Sequence, residues 1–597
     1  MKKNILLIGV LASTLMAVGQ EKETFGSTFQ TVASSFSITE RLSDLPEEEE
    51  QFPDPSKIMH NNLERTEHTN PEALPKGNDP VWQQTKASSQ NKAPIQNWQG
   101  LSGSGYPADP SGAVGPNHYV QMVNSQYRVY DKTGTTLKTG SLGSLLGGGN
   151  DGDPIVMYDK FADRWFLSQF DLSNNLHVAV SETGDPTGVY YSYSFNVGSN
   201  FPDYPKYSIW SDGYYVTSNK GGNEAYVMER DKMLAGDGSA QMIGFNVPSL
   251  SDAGFFSILP AHAGSTLPSV GTPNQLFYFQ DDGWWGVNDD VLKVWDVSVD
   301  WTTTSNSTIS SPYSISVSPF DSSFDWQWND ITQPGGSKLD AVPGALMYMV
   351  NYREFASHNS VVMCHTVDVN GANRAGIRWY ELRQSGGDDW ALYQEGTYAP
   401  DSDSRWLGSI NMDKYGNIAL AYCVSGSSTY PSLRYTGRYA GGTLGEMHFL
   451  EQEAVAGLGS QTVTNRWGDY AQMTIDPSDD LTFWHTGPYM SSSFPRTRVF
   501  SLSFPESFLS IENEYMSKTL VVAYLGDNKF NLRIGSLNEE VNISIVNTLG
   551  QTLKKIDKVK SGENFNHNID LNGYSAGYYI INVGNDNFNK AHKVWVK

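Results

Sequence analysis

A pattern that recurs down the middle of the chain limits the possible fold more than any other feature. Its two clearest copies start at Arg405 and Arg466, and each has Arg-Trp, a small polar stretch, a turn and an alternating run that ends in aromatic residues. Alternation on both sides of a tight turn predicts strand, turn, strand. Looser copies start upstream at Ala113, Ile155, Tyr207, Leu267 and Leu339.

The seven copies start about 42 to 72 residues apart, a spacing typical of propeller blades with loops of different length. We therefore predict an all-β chain with a seven-bladed β-propeller over residues 96–505, with six blades as the alternative. The composition agrees, because 32 Tyr, 26 Phe and 16 Trp suit strands and 56 Gly suit turns. A closed ring of blades also avoids free sheet edges that would pair with other molecules.

The residues before the repeats predict export. Lys2 and Lys3 precede an apolar run of about 13 residues, and small residues follow, as in a secretory signal peptide over residues 1–19. No later stretch is apolar enough to span a membrane, so we expect no transmembrane segment in the mature chain. Residues 20–95 are rich in Ser, Thr, Glu, Asn and Pro, which predicts a disordered leader; a removable propeptide is the alternative.

The last part of the chain has a different sequence pattern from the repeats. Residues 510–597 contain short alternating strands separated by turn residues, which predicts a small C-terminal β-sandwich. Three of its stretches, VNISIVNTLGQTL from Val541, GYYI from Gly577 and KAHKVWVK from Lys590, occur in an order and spacing that resembles the type A C-terminal sorting domain of the type IX secretion system of Bacteroidota. An ordinary carbohydrate-binding module is the alternative.

That resemblance implies a destination and a partner. The chain would be recognised by the type IX secretion machinery through residues 510–597 and carried across the outer membrane. Such domains are usually cleaved, and the cargo is then released or attached to surface lipopolysaccharide. The resemblance therefore implies a secreted or cell-surface protein, and it implies no reaction.

Net charge excludes one class of partner. The formal charge is −24 and the pI is about 4.8, and no cluster of Lys and Arg interrupts the acidity. Because binding to nucleic acid needs a basic surface, we expect no nucleic-acid partner.

Polar residues just ahead of the repeated strands are the candidate binding site. In a propeller, equivalent positions of different blades converge around the central channel, so these side chains would line one channel mouth. Carboxylates and guanidinium groups there can bind a polar ligand. Structural loop-tying between blades is the alternative, since Asp before a strand often accepts turn amides. The predicted channel-mouth residues are Asp109, Asp153, Asp203, Arg405, Arg466 and Asp469.

Signals for metals and disulfides are weak. Asp151 and Asp153, and the Asp401–Asp403 stretch, offer oxygen ligands that suit Ca²⁺, but short Asp/Gly clusters are commonly turns. No other cofactor is evident. The only cysteines, Cys364 and Cys423, either form a disulfide or are two buried free thiols.

These observations leave three functions open. The first is a surface or secreted module that binds a glycan or a protein, since no complete catalytic constellation is present. The second is a secreted polysaccharide hydrolase or lyase, including a sialidase-like enzyme that would use Arg434, Arg438, Tyr430 and Tyr435. The third is a purely structural role in a surface layer.

Overall fold

The computed structural model describes residues 22–58, 70–222, 224–251, 255, 257–324, 328–504, 520–534, 540–559, 565–585 and 589–597. The predicted signal peptide and residues 510–519 of the predicted sandwich lie outside these ranges. The described chain is all-β, built of many antiparallel sheets. It contains two short α-helices, Leu142–Leu146 (α1) and Arg230–Leu234 (α2), and two 3-10 turns, Leu42–Asp44 and Thr304–Asn306. None of the described helices has the length and apolar character needed to cross a membrane.

Five strands precede the repeats, and the first three repeat sheets follow them. The early strands are β1 (Thr24–Gly26), β2 (Phe29–Val32), β3 (Ser35–Ile38), β4 (Trp82–Gln83) and β5 (Gln96–Gln99). Sheet 1 contains β6 (Ser111–Val114), β7 (His118–Val123), β8 (Gln126–Asp131) and β9 (Thr136–Ser141). Sheet 2 contains β10 (Ile155–Asp159), β11 (Arg164–Phe170), β12 (Asn175–Ser181) and β13 (Tyr190–Asn196). Sheet 3 contains β14 (Asp203–Ile209), β15 (Tyr214–Asn219), β16 (Ala225–Met228) and β17 (Gln241–Phe245).

Four further sheets complete the repeat region. Sheet 4 contains β18 (Leu259–Ala263), β19 (Asn274–Gln280), β20 (Val291–Ser298), β21 (Thr308–Ser310) and β22 (Tyr313–Ser316). Sheet 5 contains β23 (Leu346–Glu354), β24 (Asn359–Asp368), β25 (Ala375–Gln384) and β26 (Ala391–Tyr398). Sheet 6 contains β27 (Ser404–Met412), β28 (Ile418–Ser425), β29 (Ser432–Arg438) and β30 (Phe449–Val455). Sheet 7 contains β31 (Gln472–Ile475), β32 (Phe483–Met490) and β33 (Pro495–Leu502).

The first strands of these sheets contact one another in order. β6 contacts β10, which contacts β14, and the series continues through β18, β23, β27 and β31, which in turn contacts β6. β18 and β23 also pair in parallel, so sheets 4 and 5 share a single hydrogen-bonded network. Nearly all side chains of these first strands are buried, and one large hydrophobic core spans sheets 2 to 7.

The sequence repeats correspond to these first hairpins with two exceptions. The copies at Ala113, Ile155, Tyr207, Arg405 and Arg466 each contain the first two strands of a sheet. The copy at Leu267 begins after β18 has ended, and the one at Leu339 leads into β23 from a long loop. In both places the sequence template does not coincide with the first hairpin of the sheet, because long insertions separate the apolar runs from their turns.

The stretch expected to be a disordered leader is instead built into the sheets. β1 pairs with β21, β2 with β17, β3 with β13, β4 with β26 and β5 with β33, each time at the outer edge of a sheet. We call residues 22–58 and 70–99 the belt. A composition argument missed it, because the hydrogen-bond partners of these polar residues come from strands hundreds of positions away.

The belt follows the sheets in two directions. From sheet 4 its first arm passes sheets 3 and 2 and then sheet 1, where Lys138 donates to the carbonyl of Leu45 at 2.6 Å. Glu50, from the acidic run taken as disordered, pairs with Arg496 of sheet 7 at 2.6 Å. The second arm starts at sheet 4, where Asn70 donates to the carbonyl of Asp282, and continues past sheets 5 and 6 to sheet 7.

The C-terminal region forms two small sheets around a separate hydrophobic core. The first contains β34 (Val521–Gly526), β35 (Lys529–Ile534) and β38 (Phe565–Asp570). The second contains β36 (Val541–Asn547), β37 (Thr552–Val559), β39 (Gly577–Gly584) and β40 (Asn589–Val596). A hairpin joins β36 to β37, and Gly550 has a φ of +80° in its turn.

Candidate functional site

Five of the six predicted channel-mouth residues lie together where the first strands of the sheets begin. The amide of Asp469, ahead of β31, donates to Asp109, ahead of β6, at 2.8 Å. Asp153 and Asp203 interact electrostatically with Asp469, and Arg466 bonds to it at 2.6 Å. Residues far apart in sequence therefore meet at one end of the ring of first strands.

Most of the carboxylate oxygens already hold neighbouring loops together. Asp109 also accepts a hydrogen bond from the amide group of Asn124 at 2.7 Å. The side-chain oxygen of Asn124 in turn accepts from the backbone N–H of Asp153 at 3.0 Å. Asp153 accepts from the backbone N–H of Tyr204 at 3.2 Å. These contacts join sheets 1, 2, 3 and 7, which is what the loop-tying alternative predicts.

The mouth is filled by two tyrosines and a lysine. The Nζ of Lys206 lies 3.3 Å from the ring centre of Tyr204 and 4.0 Å from that of Tyr470. The Tyr204 hydroxyl donates to the carbonyl of Asp469, and the Tyr470 hydroxyl donates to the carbonyl of Pro154. All three side chains are buried, and the ammonium group is held against both aromatic rings; we call Tyr204, Lys206 and Tyr470 the plug.

Burial shifts the protonation of this cluster. It raises the pKa of Asp109 to about 7, and the nearby Asp469 carboxylate adds to the shift. Burial likewise raises the pKa of Asp153 and Asp203, in both cases reinforced by neighbouring aspartates. The pKa of Lys206 falls to about 8, because burial outweighs the attraction of the surrounding carboxylates. Part of the cluster is therefore protonated near neutral pH.

Two partly open carboxylates remain at the rim. Asp203 and Asp469 are only partly buried. Asp469 bonds through one oxygen to Arg466, whereas its Oδ1 is buried and has no hydrogen-bond partner among the described residues. The side chains of Asp203 and Asp469 are the least buried carboxylates of the predicted site.

Arg405 does not belong to this group, so that part of the prediction was wrong. It is fully buried in sheet 6, where it bonds to Glu451 at 2.9 Å and to Asp401 at 2.8 Å. The sequence copies align, but the Arg-Trp pair that starts at Arg405 lies within β27, whereas the one at Arg466 lies ahead of β31. Asp401 is neutralised by Arg405 and Lys86, which leaves little negative charge for calcium.

The sialidase-like pieces do not form an open arginine site. Arg438 is buried and donates to the carbonyl of Gly442 at 3.2 Å. Arg434 pairs with Glu451, and the hydroxyl of Tyr435 donates to the backbone carbonyl of Lys92 in the belt. These contacts tie strands of sheet 6 to one another and to the belt.

Of the two alternatives for the cysteines, the structure has the free thiols, since both cysteines are unpaired and buried. Cys364 lies on β24 and Cys423 on β28, each packed in the core of its own sheet. The Cys423 thiol accepts from the indole N–H of Trp467 at 3.3 Å, and burial raises its pKa to about 12. Both thiols are therefore inert and protonated at neutral pH.

One group of carboxylates that sequence reasoning missed has metal-ligand spacing. Asp281, Asp282 and Asp290 offer oxygens within 4.8 Å of one another, and all three are buried. Burial raises the pKa of Asp281 to about 6 and that of Asp290 to about 8. Asp151 and Asp153 belong to no such group within the described ranges, and calcium binding there stays a prediction.

The opposite end of the ring of first strands holds a small polar pocket. It is lined by the ends of β6, β10, β18, β23, β27 and β31, with Lys160, His262, Asn351 and Asn411 among its polar groups. Asn351 and Asn411 donate to backbone carbonyls of neighbouring strands. Burial lowers the pKa of His262 to about 4 and lowers that of Lys160 as well.

The comparison with family models identifies the C-terminal region. Residues 527–597 match the secretion system C-terminal sorting domain. The protein is thus a cargo of a secretion system that sorts by this domain, and the type IX destination implied by the sequence is confirmed: it is exported to the cell surface or secreted.

Similarities to other proteins are weak. No curated protein matches the sequence. Among solved structures, a fungal alcohol oxidase in complex with copper is 11% identical with a TM-score of 0.35, covering 86% of this chain and 98% of that one. A family 32 glycoside hydrolase of Bifidobacterium adolescentis is 9% identical with a TM-score of 0.26 and covers 86% of this chain and 95% of that one. The type IX surface component PorZ of Porphyromonas gingivalis is 10% identical with a TM-score of 0.17, covering 83% and 71%. Likenesses of this size identify no activity.

Proposed function

We propose that the repeat region is a seven-bladed propeller that acts outside the cell as a binding module for a glycan or a protein. Seven first strands contact one another in an order that returns from β31 to β6, which supports a closed ring of seven blades. β5 of the belt supplies a fourth strand to sheet 7, as a ring of four-stranded blades requires. The sorting domain then serves only delivery.

The observation that carries the binding proposal is the plug of Tyr204, Lys206 and Tyr470. An enzyme that cleaves a polysaccharide needs two carboxylates beside an open cleft. Here the carboxylates are tied to neighbouring loops around a filled centre. A rigid, closed mouth can still present a surface to a ligand.

Exposed apolar side chains lie at the same end of the ring. Leu172 lies in the loop from β11 to β12 and Leu458 in the loop from β30 to β31, and they are 76% and 67% exposed. Trp285, in the loop from β19 to β20, is 77% exposed. Because adjacent antiparallel strands place these loops beside the starts of the first strands, the three apolar side chains lie at the same end of the sheets as the plug. Exposed Trp and Leu around a polar centre favour a recognition surface.

A second candidate is a polysaccharide hydrolase or lyase. One observation favours it: Asp203 and Asp469 keep part of their carboxylates accessible at the rim. Burial and the Asp469 carboxylate raise the pKa of Asp203, which is the direction a general acid needs.

A glycan array and a depolymerisation screen on the full exported chain separate the candidates. The binding proposal expects ligand capture without turnover, weakened by Trp285→Ala and little changed by Asp203→Asn. The enzyme candidate expects turnover that Asp203→Asn or Asp469→Asn abolishes. The exposed Tyr393→Ala, on a strand of sheet 5, is the control for Trp285→Ala. Absence of binding to glycans and to surface proteins would reject the first candidate.

We also infer that the belt remains part of the mature protein. Its five strands complete sheet edges that would otherwise be open, and an exposed edge strand is prone to pair with other molecules. N-terminal sequencing of the exported protein is expected to begin close to residue 20. A start beyond residue 95 would show that the segment is a removed propeptide.

Export itself is tested by removing the matched domain. Deleting residues 527–597 is expected to leave the chain in the periplasm with its repeat region folded. Unchanged export would mean that delivery does not depend on this domain.

A further inference from the structure

Apart from the plug residues, three side chains of sheet 2 have the connectivity of a Ser-His-Asp triad. The Nδ1 of His177 lies 2.7 Å from the hydroxyl oxygen of Ser194, and its Nε2 lies 2.9 Å from a carboxylate oxygen of Asp171. A carboxylate only accepts, so Nε2 donates to Asp171. In the neutral ring Nδ1 is then the acceptor for the Ser194 hydroxyl proton. This is the arrangement in which a histidine can act as base for a serine nucleophile.

The fold fixes each member before any ligand binds. His177 on β12 and Ser194 on β13 are directly opposite each other across the antiparallel pair. Asp171, in the loop between β11 and β12, accepts from the backbone N–H groups of Ser173 and Asn175 at 2.8 and 2.9 Å. The carboxylate is thereby held towards the ring, and these bonds lower its pKa against the opposing effect of burial.

Ser194 and His177 line a concave pocket that is open to solvent. Its other walls come from the loop that follows α1, including Gly147 and Gly148, and from Ser35 and Ser37 of the belt strand β3. The pocket is rich in hydroxyl groups and lies outside the ring centre. A small substrate could therefore reach the serine without passing the plug.

The glycine loop approaches the histidine more closely than a side chain would allow. A Cβ atom on Gly148 would lie 2.8 Å from the Nε2 of His177, and its φ of +73° is in the left-handed region that favours glycine. A side chain at position 148 would therefore press on the imidazole, so glycine leaves room for the His177 ring at this wall of the pocket.

We propose that Ser194, His177 and Asp171 hydrolyse carboxylic esters with small acyl groups. The Ser194 oxygen forms a bond to the ester carbonyl carbon while its proton passes to Nδ1 of His177. The alcohol leaves with that proton, and an acyl-serine remains. Water then attacks the acyl carbon, gives a proton to Nδ1, and the acid departs as the serine recovers its proton. Ester and water thus become acid and alcohol.

The imidazole of His177 is flipped relative to the usual triad. In that triad the carboxylate bonds Nδ1 and the serine bonds Nε2. Either imidazole nitrogen can accept a proton when the other carries one, so the chemistry is the same. This activity is independent of the binding proposed for the channel mouth.

The test is covalent labelling of the full chain with a fluorophosphonate probe, with the modified residue located by mass spectrometry. We expect labelling at Ser194, and its loss by about 100-fold or more in Ser194→Ala and His177→Gln. Ser168→Ala is the matched control, because Ser168 is a buried serine of the same sheet that lies outside the pocket lining and donates to the carbonyl of Ile155. Hydrolysis of 4-nitrophenyl acetate should likewise be lost in Ser194→Ala and His177→Gln and be retained in the control variant.

Asp171 acts through His177 and is a positioning residue. Asp171→Asn removes the negative charge beside the ring, so the pH at which labelling reaches half its maximum should move to lower values. Asp171→Glu should restore part of the labelling.

A purely structural role for the three residues predicts a different set of results. The variants would then lower the melting temperature, and the wild-type protein would not be labelled at Ser194. Absence of labelling at Ser194 in folded wild-type protein overturns the proposal, as does equal labelling of folded His177→Gln. Circular dichroism on each variant shows whether loss of labelling reflects loss of fold.

Discussion

The hydroxyl of Tyr204 donates a 2.8 Å hydrogen bond to the backbone carbonyl of Asp469, across 265 residues of sequence. Tyr204 belongs to sheet 3 and Asp469 precedes sheet 7, so one side chain ties together two sheets that are not neighbours in the contact order. The bond runs through the cluster that the sequence marked as a binding site. It makes the mouth a structural joint.

Removing the Tyr204 hydroxyl should lower stability while the aromatic ring continues to fill its place. We expect Tyr204→Phe to lower the free energy of unfolding by about 1 to 2 kcal/mol, because a buried carbonyl loses its partner. Urea denaturation followed by tryptophan fluorescence measures the change. Tyr430→Phe, at an exposed loop position, is the control and should change stability by less than about 0.5 kcal/mol. Equal effects in both variants would show that the Tyr204 bond adds nothing.

Lys206 should matter more at neutral than at acidic pH. Lys206→Met removes the buried positive charge among Asp109, Asp153 and Asp203, and breaking such an arrangement costs about 3 to 5 kcal/mol. Burial raises the pKa of all three carboxyl groups, that of Asp109 to about 7, so lowering the pH to 5 favours their neutral forms and reduces the need for a counter-charge. We expect a large destabilisation at pH 7, where Lys206 with its pKa of about 8 is still mostly charged, and a smaller one at pH 5.

Denaturation curves at the two pH values measure this difference, and the exposed Lys57→Met is the control. A loss of stability that does not depend on pH would mean that packing of the lysine stem matters and its charge does not.

His485 should make the protein sensitive to acid. It is fully buried, neither ring nitrogen is hydrogen-bonded by the described residues, and burial lowers its pKa to about 3. The unfolded chain binds a proton near pH 6.5 and the folded chain does not. This contribution to stability is therefore complete above pH 6.5 and is lost progressively as the pH falls towards 3.

The loss at pH 5 is about 2 kcal/mol for this residue. His485→Leu should flatten the profile of melting temperature against pH between 7 and 5, whereas the exposed His592→Leu should leave it unchanged. A variant as acid-sensitive as the wild type would assign the loss to other groups.

The belt should contribute directly to the stability of the ring. Trp98 on β5 packs edge-on against Tyr119 of sheet 1 and Trp484 of sheet 7, with ring centres 6.1 and 5.6 Å apart. We expect Trp98→Ala to cost about 3 to 5 kcal/mol. Trp285→Ala, which removes an exposed indole, should cost much less. If the two variants melt alike, the belt is only loosely attached.

The regular part of the fold could be predicted from periodicity. Strand, turn, strand repeats gave the first hairpins of five sheets, because alternation and turn residues are local signals. The belt could not be predicted in this way. Its strands are short and polar, and what orders them is a free edge that another part of the chain provides.

Periodicity also predicted part of the candidate site. Asp109, Asp153, Asp203 and Asp469 stand ahead of equivalent strands, so the repeat brings them together. Lys206 and Tyr204 lie next to Asp203 in the same short stretch, yet nothing local says that they would fill the mouth. The His177 and Ser194 pair depends on the register of β12 and β13, which no motif encodes.

The pairing of β5 with β33 joins Gln96 to Ser501, across about 400 residues. The first segment to be made therefore finds its last partner only when almost the whole repeat region is present. Such high contact order makes ring closure slow and keeps incomplete chains open.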